Sequence, residues 1–130
     1  LREKLKGRTV LQVYDYVTIK QADIDGDMSD VPHHTQPIFV TNPQSGRKAL
    51  YVNRLMTARI DGLPRDESDA ILDELFDIVE RPEHVFEHVW TPGDLVMWDN
   101  LCSCHARTDF PADQRRLLRR CTVKGEAMRA

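Results

Sequence analysis

Residues 93–120, GDLVMWDNLCSCHARTDFPADQRRLLRR, decide how the rest of this 130-residue chain is read. A Pro92-Gly93-Asp94 turn feeds the apolar run Leu95-Val96-Met97-Trp98, and that order of turn and run predicts a strand. Asp99-Asn100 ends it, and His105 follows a short cysteine-rich segment. Two arginine pairs, Arg115-Arg116 and Arg119-Arg120, come next. A second strand over residues 115–123 would put Arg116, Leu118, Arg120 and Thr122 on one face and Arg115, Leu117 and Arg119 on the other, because strand side chains alternate. Two guanidinium forks on one face, near an imidazole, suit a small anionic ligand.

Upstream, Asn42-Pro43-Gln44-Ser45-Gly46-Arg47 is rich in turn formers and separates two β-prone runs, residues 36–41 and 48–53, which predicts an antiparallel hairpin. Asp66 to Glu80 carries Ile71, Leu72, Leu75, Phe76 and Val79 at helical spacing. Asp66, Glu67 and Asp69 suit the positive end of that helix, and Pro82 stops it. Residues 1–7 read as a helix end closed by Gly7. Residues 9–19, rich in β-branched and aromatic types, read as extended, and residues 21–37 as a polar loop. His33-His34 falls in that loop as a surface pair.

Bulk properties narrow the class. The formal net charge of -3 and the absence of aromatic residues interleaved with the arginines argue against nucleic acid as a partner. No apolar run approaches the ~20 residues of a membrane helix, and no signal-peptide pattern opens the chain, so no membrane partner and a cytoplasmic location are expected. Three cysteines fit a reducing compartment rather than a disulfide framework. Asp23 to Asp27 resembles a calcium loop only superficially: Met28 and His34 stand where Gly and Glu would be required. Cys102, Cys104 and His105 do not complete a zinc site, because Cys121 is alone and the two cysteines face away from His105 on a strand. They read instead as small, half-buried strand residues. His84, Glu87 and His88 read as structural or surface groups.

The spacing W-D-N-x4-H-x10-R-x3-R, here Trp98-Asp99-Asn100, His105, Arg116 and Arg120, resembles the Fe(II)- and 2-oxoglutarate-dependent dioxygenases of the taurine dioxygenase and phenoxyacetate-herbicide dioxygenase type. The run Asn42-Pro43-Gln44-Ser45-Gly46-Arg47-Lys48-Ala49-Leu50-Tyr51-Val52-Asn53, followed by Thr57, Ile60 and the acidic helix, extends the resemblance over residues 30–125. It departs from the family at Leu101, where Arg is common, and at Gln36 and Asn42, where His is common.

The resemblance implies a mainly β fold with one or two helices, part of a double-stranded β-helix (jelly roll, cupin-like). It implies Fe(II) as the metal and 2-oxoglutarate as cosubstrate, with dioxygen and a small anionic acid, such as a sulfonate or an aryloxy acid, as reactants. His105 matches the family's second metal-ligating histidine, Arg116 the residue that grips the distal carboxylate of 2-oxoglutarate, and Arg120 the residue that meets the primary substrate's anionic end.

Such sites hold iron with two histidines and one carboxylate. The family's first histidine and carboxylate form an H-x-D/E element, yet none of His33, His34, His84, His88 and His105 has an acidic residue two positions on. Residues 1–130 therefore read as the C-terminal portion of one dioxygenase domain, inactive without an H-x-D/E segment. The alternative is a non-catalytic half jelly roll that binds an anion or a partner. A lone half barrel exposes sheet edges and core face, which predicts poor solubility or pairing with the other half, and leaves homo-oligomers open.

Overall fold

A computed structural model describes residues 1–14, 24–125 and 129–130. Strand β1 (Thr9–Val13) is its centre. Four of its five residues are buried, as expected of a strand covered on both faces. Leu11 and Val13 pack with Ile24, Met28 and Ala58 on one side, while Val10 packs with Ile60 and the helix on the other. That division follows from the period-two alternation of strand side chains.

β1 pairs antiparallel with β2 (His33–Pro37) and with the later strand β5 (Thr57–Ile60), giving the order β2-β1-β5. A register shift between Leu11 and Gln12 marks a bulge against β5. A separate two-stranded ribbon, β3 (Phe39–Thr41) with β4 (Lys48–Leu50), forms the expected hairpin. It is shorter than predicted, because Gln36 and Pro37 belong to β2 and pair with β1 instead. The predicted loop over residues 21–37 is corrected accordingly: its last five residues are strand. The sequence signal failed there because β2 has no buried face, only exposed and half-buried residues, so no hydrophobic alternation betrays it. Residues 15–19 of the predicted extended segment lie outside the described residues.

The short helix α1 (Arg2–Leu5) buries Leu5, and Gly7 follows at φ 75°, the left-handed conformation that ends helices. Helix α2 (Arg65–Val79) lies against β5 and buries Ile71, Leu72, Leu75 and Phe76 in one cluster with Leu5, Val10, Ile38, Val52 and Ile60. Its predicted stripe is thus the core stripe, with Val79 only half-buried. Arg54 anchors its outer end: the guanidinium lies 5.0 Å from the Phe76 ring and pairs with Asp77 and Glu80 at 3.1 and 3.2 Å. The hydrogen bond to Glu80 is the main reason its pKa is raised further.

Ser68 is buried, and its Oγ accepts the backbone N–H of Ile60 at 2.8 Å, tying α2 to β5. Ser68→Ala removes that acceptor and leaves a buried N–H unpaired, a loss of about 1–3 kcal/mol. Urea unfolding at neutral pH checks it, and a stability change below about 0.5 kcal/mol, the range of ordinary surface substitutions, would contradict the assignment.

After the 3-10 turn Pro82–His84 no helix or strand is present among the described residues. The strands predicted over residues 95–98 and 115–123 do not form. A strand requires a partner for its ladder, and the described backbone hydrogen bonds within residues 91–123 are local turns, such as Asp94 N–H to Thr91 O and Gln114 N–H to Pro111 O; the long-range one of the C-terminal segment, Thr41 N–H to Arg129 O, lies beyond both predicted strands. Leu95, Met97, Leu117 and Val123 are all exposed, so the alternating apolar pattern is present without an opposing layer.

Candidate functional site

The Trp98-Asp99-Asn100 segment is a turn organised by one carboxylate. Asp99 Oδ1 accepts the backbone N–H of Leu101 at 2.9 Å, while its Oδ2 accepts Asn42 Nδ2 at 2.7 Å and Cys102 Sγ at 3.5 Å. Its main-chain oxygen accepts Ser103 Oγ at 2.6 Å and the Ser103 N–H at 3.1 Å. The Leu101 N–H does most to hold the Asp99 carboxyl below the usual carboxylate range, with Cys102 and Asn42 adding to it. Partial desolvation, reinforced by the hydrogen bond to Asp99 and its charge, pushes the thiol of the exposed Cys102 up.

This turn presents His105. The imidazole is exposed and lies 4.9 Å from the Trp98 ring at an interplanar angle of 52°. Trp98 is oriented in turn by its Nε1–H, which donates to Asn100 Oδ1 at 2.7 Å. Cys102 and Cys104 are exposed turn and coil residues rather than half-buried strand residues, since the strand that would have buried them is absent.

The arginines are not gathered with His105. Arg116 stands 5.7 Å from the Phe110 ring, which Arg107 also approaches at 5.1 Å, and Arg120 is exposed. Among the described residues no hydrogen bond, ion pair or ring contact joins His105, Arg116 and Arg120. The shared face predicted for Arg116 and Arg120 required a strand that has not formed.

Three of the other histidines, His33, His84 and His88, have side-chain partners. His33 and His34 sit on β2, not in a loop, opposite Val13 and Gln12, and the His33 ring bonds the Val31 carbonyl at 2.8 Å. The His84 ring bonds the Ile78 carbonyl at 2.8 Å, and His88 Nε2 meets Asp94 Oδ2 at 3.1 Å. In the acidic stretch, Asp25 pairs with Arg59 at 2.6 Å, and Asp27 Oδ1 accepts the Ser29 N–H at 2.9 Å; Asp23 lies outside the described residues. Among the described residues no three of His, Cys, Asp and Glu converge to hold a metal ion. No described helix is long and apolar enough to cross a membrane.

Asn42, read from the sequence as a turn former and a departure from the family, has a second role that the sequence did not show. It is buried, and its Oδ1 accepts the N–H groups of Gln44 and Ser45 and the Ser45 hydroxyl at 2.9–3.1 Å, an Asx turn that builds the β3–β4 connection. The Asn-Pro pair predicts that turn. The bond from Asn42 to Asp99 spans 57 residues and carries no local signal.

The model of the taurine catabolism dioxygenase TauD, TfdA family matches residues 1–122. The chain belongs to the TauD/TfdA family. The (S)-phenoxypropionate/alpha-ketoglutarate-dioxygenase of Sphingobium herbicidovorans is 35% identical over 107 residues, covering 78% of this chain and 37% of that protein. The pentalenolactone F synthase of Streptomyces arenae is 40% identical over 83 residues, covering 64% of this chain and 28% of that protein. A solved Burkholderia xenovorans structure, described as a candidate alpha-ketoglutarate dependent 2,4-D dioxygenase, superimposes with a TM-score of 0.66 at 27% identity, covering 78% of this chain and 40% of that one. The mainly β architecture with two helices is therefore the family's cupin-like fold over the stretch the two share. This TauD/TfdA chain spans well under half the length of these relatives.

Proposed function

We propose that this chain supplies the C-terminal part of the active site of an Fe(II)- and 2-oxoglutarate-dependent dioxygenase. In it His105 is one metal ligand, Arg116 binds the distal carboxylate of 2-oxoglutarate, and Arg120 binds the anionic end of a small organic acid such as an aryloxy acid or a sulfonate. The observation that carries this is the W-D-N-x4-H-x10-R-x3-R spacing in a family member, with the first part folded as a turn that leaves the His105 imidazole accessible. Among the described residues the donors do not fit a whole iron site, because one imidazole fills one position of three. A histidine and a carboxylate from an H-x-D/E segment outside residues 1–130 complete it.

Within that site the two arginines do separable work. Each guanidinium offers a planar pair of N–H donors matched to a carboxylate or sulfonate. Lysine keeps the charge but not the fork. Arg116 thus sets affinity for the cosubstrate, and Arg120 that for the primary substrate.

The test is turnover kinetics of Arg116→Ala and Arg120→Ala in the full protein with Fe(II). Losing a charge-assisted hydrogen bond of about 1.5–3 kcal/mol raises the half-saturating 2-oxoglutarate concentration roughly 10- to 150-fold in Arg116→Ala. Arg120→Ala leaves that concentration unchanged and raises the one for the organic acid. An unchanged 2-oxoglutarate requirement in Arg116→Ala would remove the role, and absence of 2-oxoglutarate turnover in the unaltered full protein would favour the non-catalytic module.

A further inference from the structure

We propose that Asn42 and Asp99 form a clamp that sets where His105 stands. The two residues come from different parts of the structure, Asn42 from the end of β3 and Asp99 from the turn before His105. Among the described residues theirs is the one side-chain hydrogen bond that ties residues 85–125 to the folded sheets.

Both ends of the clamp are fixed by their own surroundings. Asn42 is held by its Asx turn, which uses Oδ1 fully and turns the amide Nδ2 outward toward the second segment. Asp99 is held by the Leu101 N–H on its other oxygen and by Ser103, which bonds its carbonyl. A single 2.7 Å bond between two such anchored groups transmits position, because neither side chain can swing without breaking its local bonds. From Asp99 the constraint reaches His105 along two routes: the turn that leads to residue 103, and the adjoining Trp98 ring against the imidazole. The amide donor and carboxylate acceptor form a charge-assisted bond, stronger than a neutral one.

Asn42 and Asp99 are positioning residues. They touch neither the imidazole nor any reacting group. Their functional meaning rests on His105 being the metal ligand proposed above, but the clamp itself is testable without metal.

The experiment is NMR of the metal-free protein at neutral pH. It follows exchange of the Leu101, Cys102 and Ser103 amides and the resonances of the His105 ring and the Trp98 indole. Asn42→Asp keeps an acceptor for the Gln44 and Ser45 amides but sets carboxylate against carboxylate. The turn amides should exchange at least about tenfold faster, as expected for loss of one charge-assisted hydrogen bond, while the Gln44 and Ser45 amides stay protected. The His105 and Trp98 resonances should move together. The exchanged pair Asn42→Asp with Asp99→Asn restores one donor facing one acceptor, and should return both readouts to their original values. Unchanged exchange and ring resonances in Asn42→Asp, or no recovery in the exchanged pair, would overturn the clamp. If the clamp holds and His105→Ala leaves Fe(II)-dependent turnover intact, the metal role fails alone.

Discussion

His105→Ala in the full protein is expected to reduce Fe(II)-dependent turnover of 2-oxoglutarate to background. The fall should exceed the 10–100-fold typical of removing an outer partner of a metal ligand, because the substitution removes the donor itself. The same substitution should barely change stability. His105 is exposed and its described contact is the Trp98 ring, so the expected change is within about 0.5 kcal/mol. Those two measurements together separate a ligand from a structural residue: turnover collapses while the urea midpoint holds. Retained turnover, or a loss that tracks a fall in stability, would remove His105 from the metal site.

The largest stability effect is expected at Phe76. It is 6% exposed and belongs to one buried cluster with Leu5 of α1, Val10 of β1, Ile60 of β5 and the rest of the α2 stripe, with the Arg54 guanidinium over its ring. Phe76→Ala should cost about 3–5 kcal/mol through lost burial and an unfilled cavity. The broken cation–π contact adds about 0.5–1 kcal/mol at so exposed an arginine. Against the usual 5–15 kcal/mol of a small domain, that approaches unfolding. Phe76→Leu retains most of the apolar volume and should lose less. Urea midpoints for the two variants check the order, and a loss below about 1 kcal/mol in Phe76→Ala would mean that α2 is not packed on the sheet as described.

Legibility from sequence followed the range of the interaction. Helix α2 was readable because its stripe repeats within one turn, and Pro82 marks its end locally. The β3–β4 hairpin was readable because Asn42-Pro43 and Gly46 specify its connection, with Gly46 at φ 66°. Strand β2 was not, since what makes His33–Pro37 a strand is its pairing with β1, some 20 residues earlier, rather than any buried face of its own. The predicted strand over residues 95–98 had the opposite fault. Its composition is right for a strand, yet composition cannot supply the neighbour that a ladder needs.

The W-D-N motif, His105, the two arginines and the Asn42–Asn53 run were all visible as residue types at a spacing, and together they gave the family resemblance and the proposed chemistry. Which of them stand together was not visible. The tertiary structure decided that His105 belongs with Trp98 and the Asp99 turn, that Asn42 reaches this turn from the β3–β4 hairpin, and that Arg116 and Arg120 stand apart from it. The physical reason is that a motif records which groups are available along the chain, while their geometry depends on hydrogen bonds and packing between segments distant in sequence.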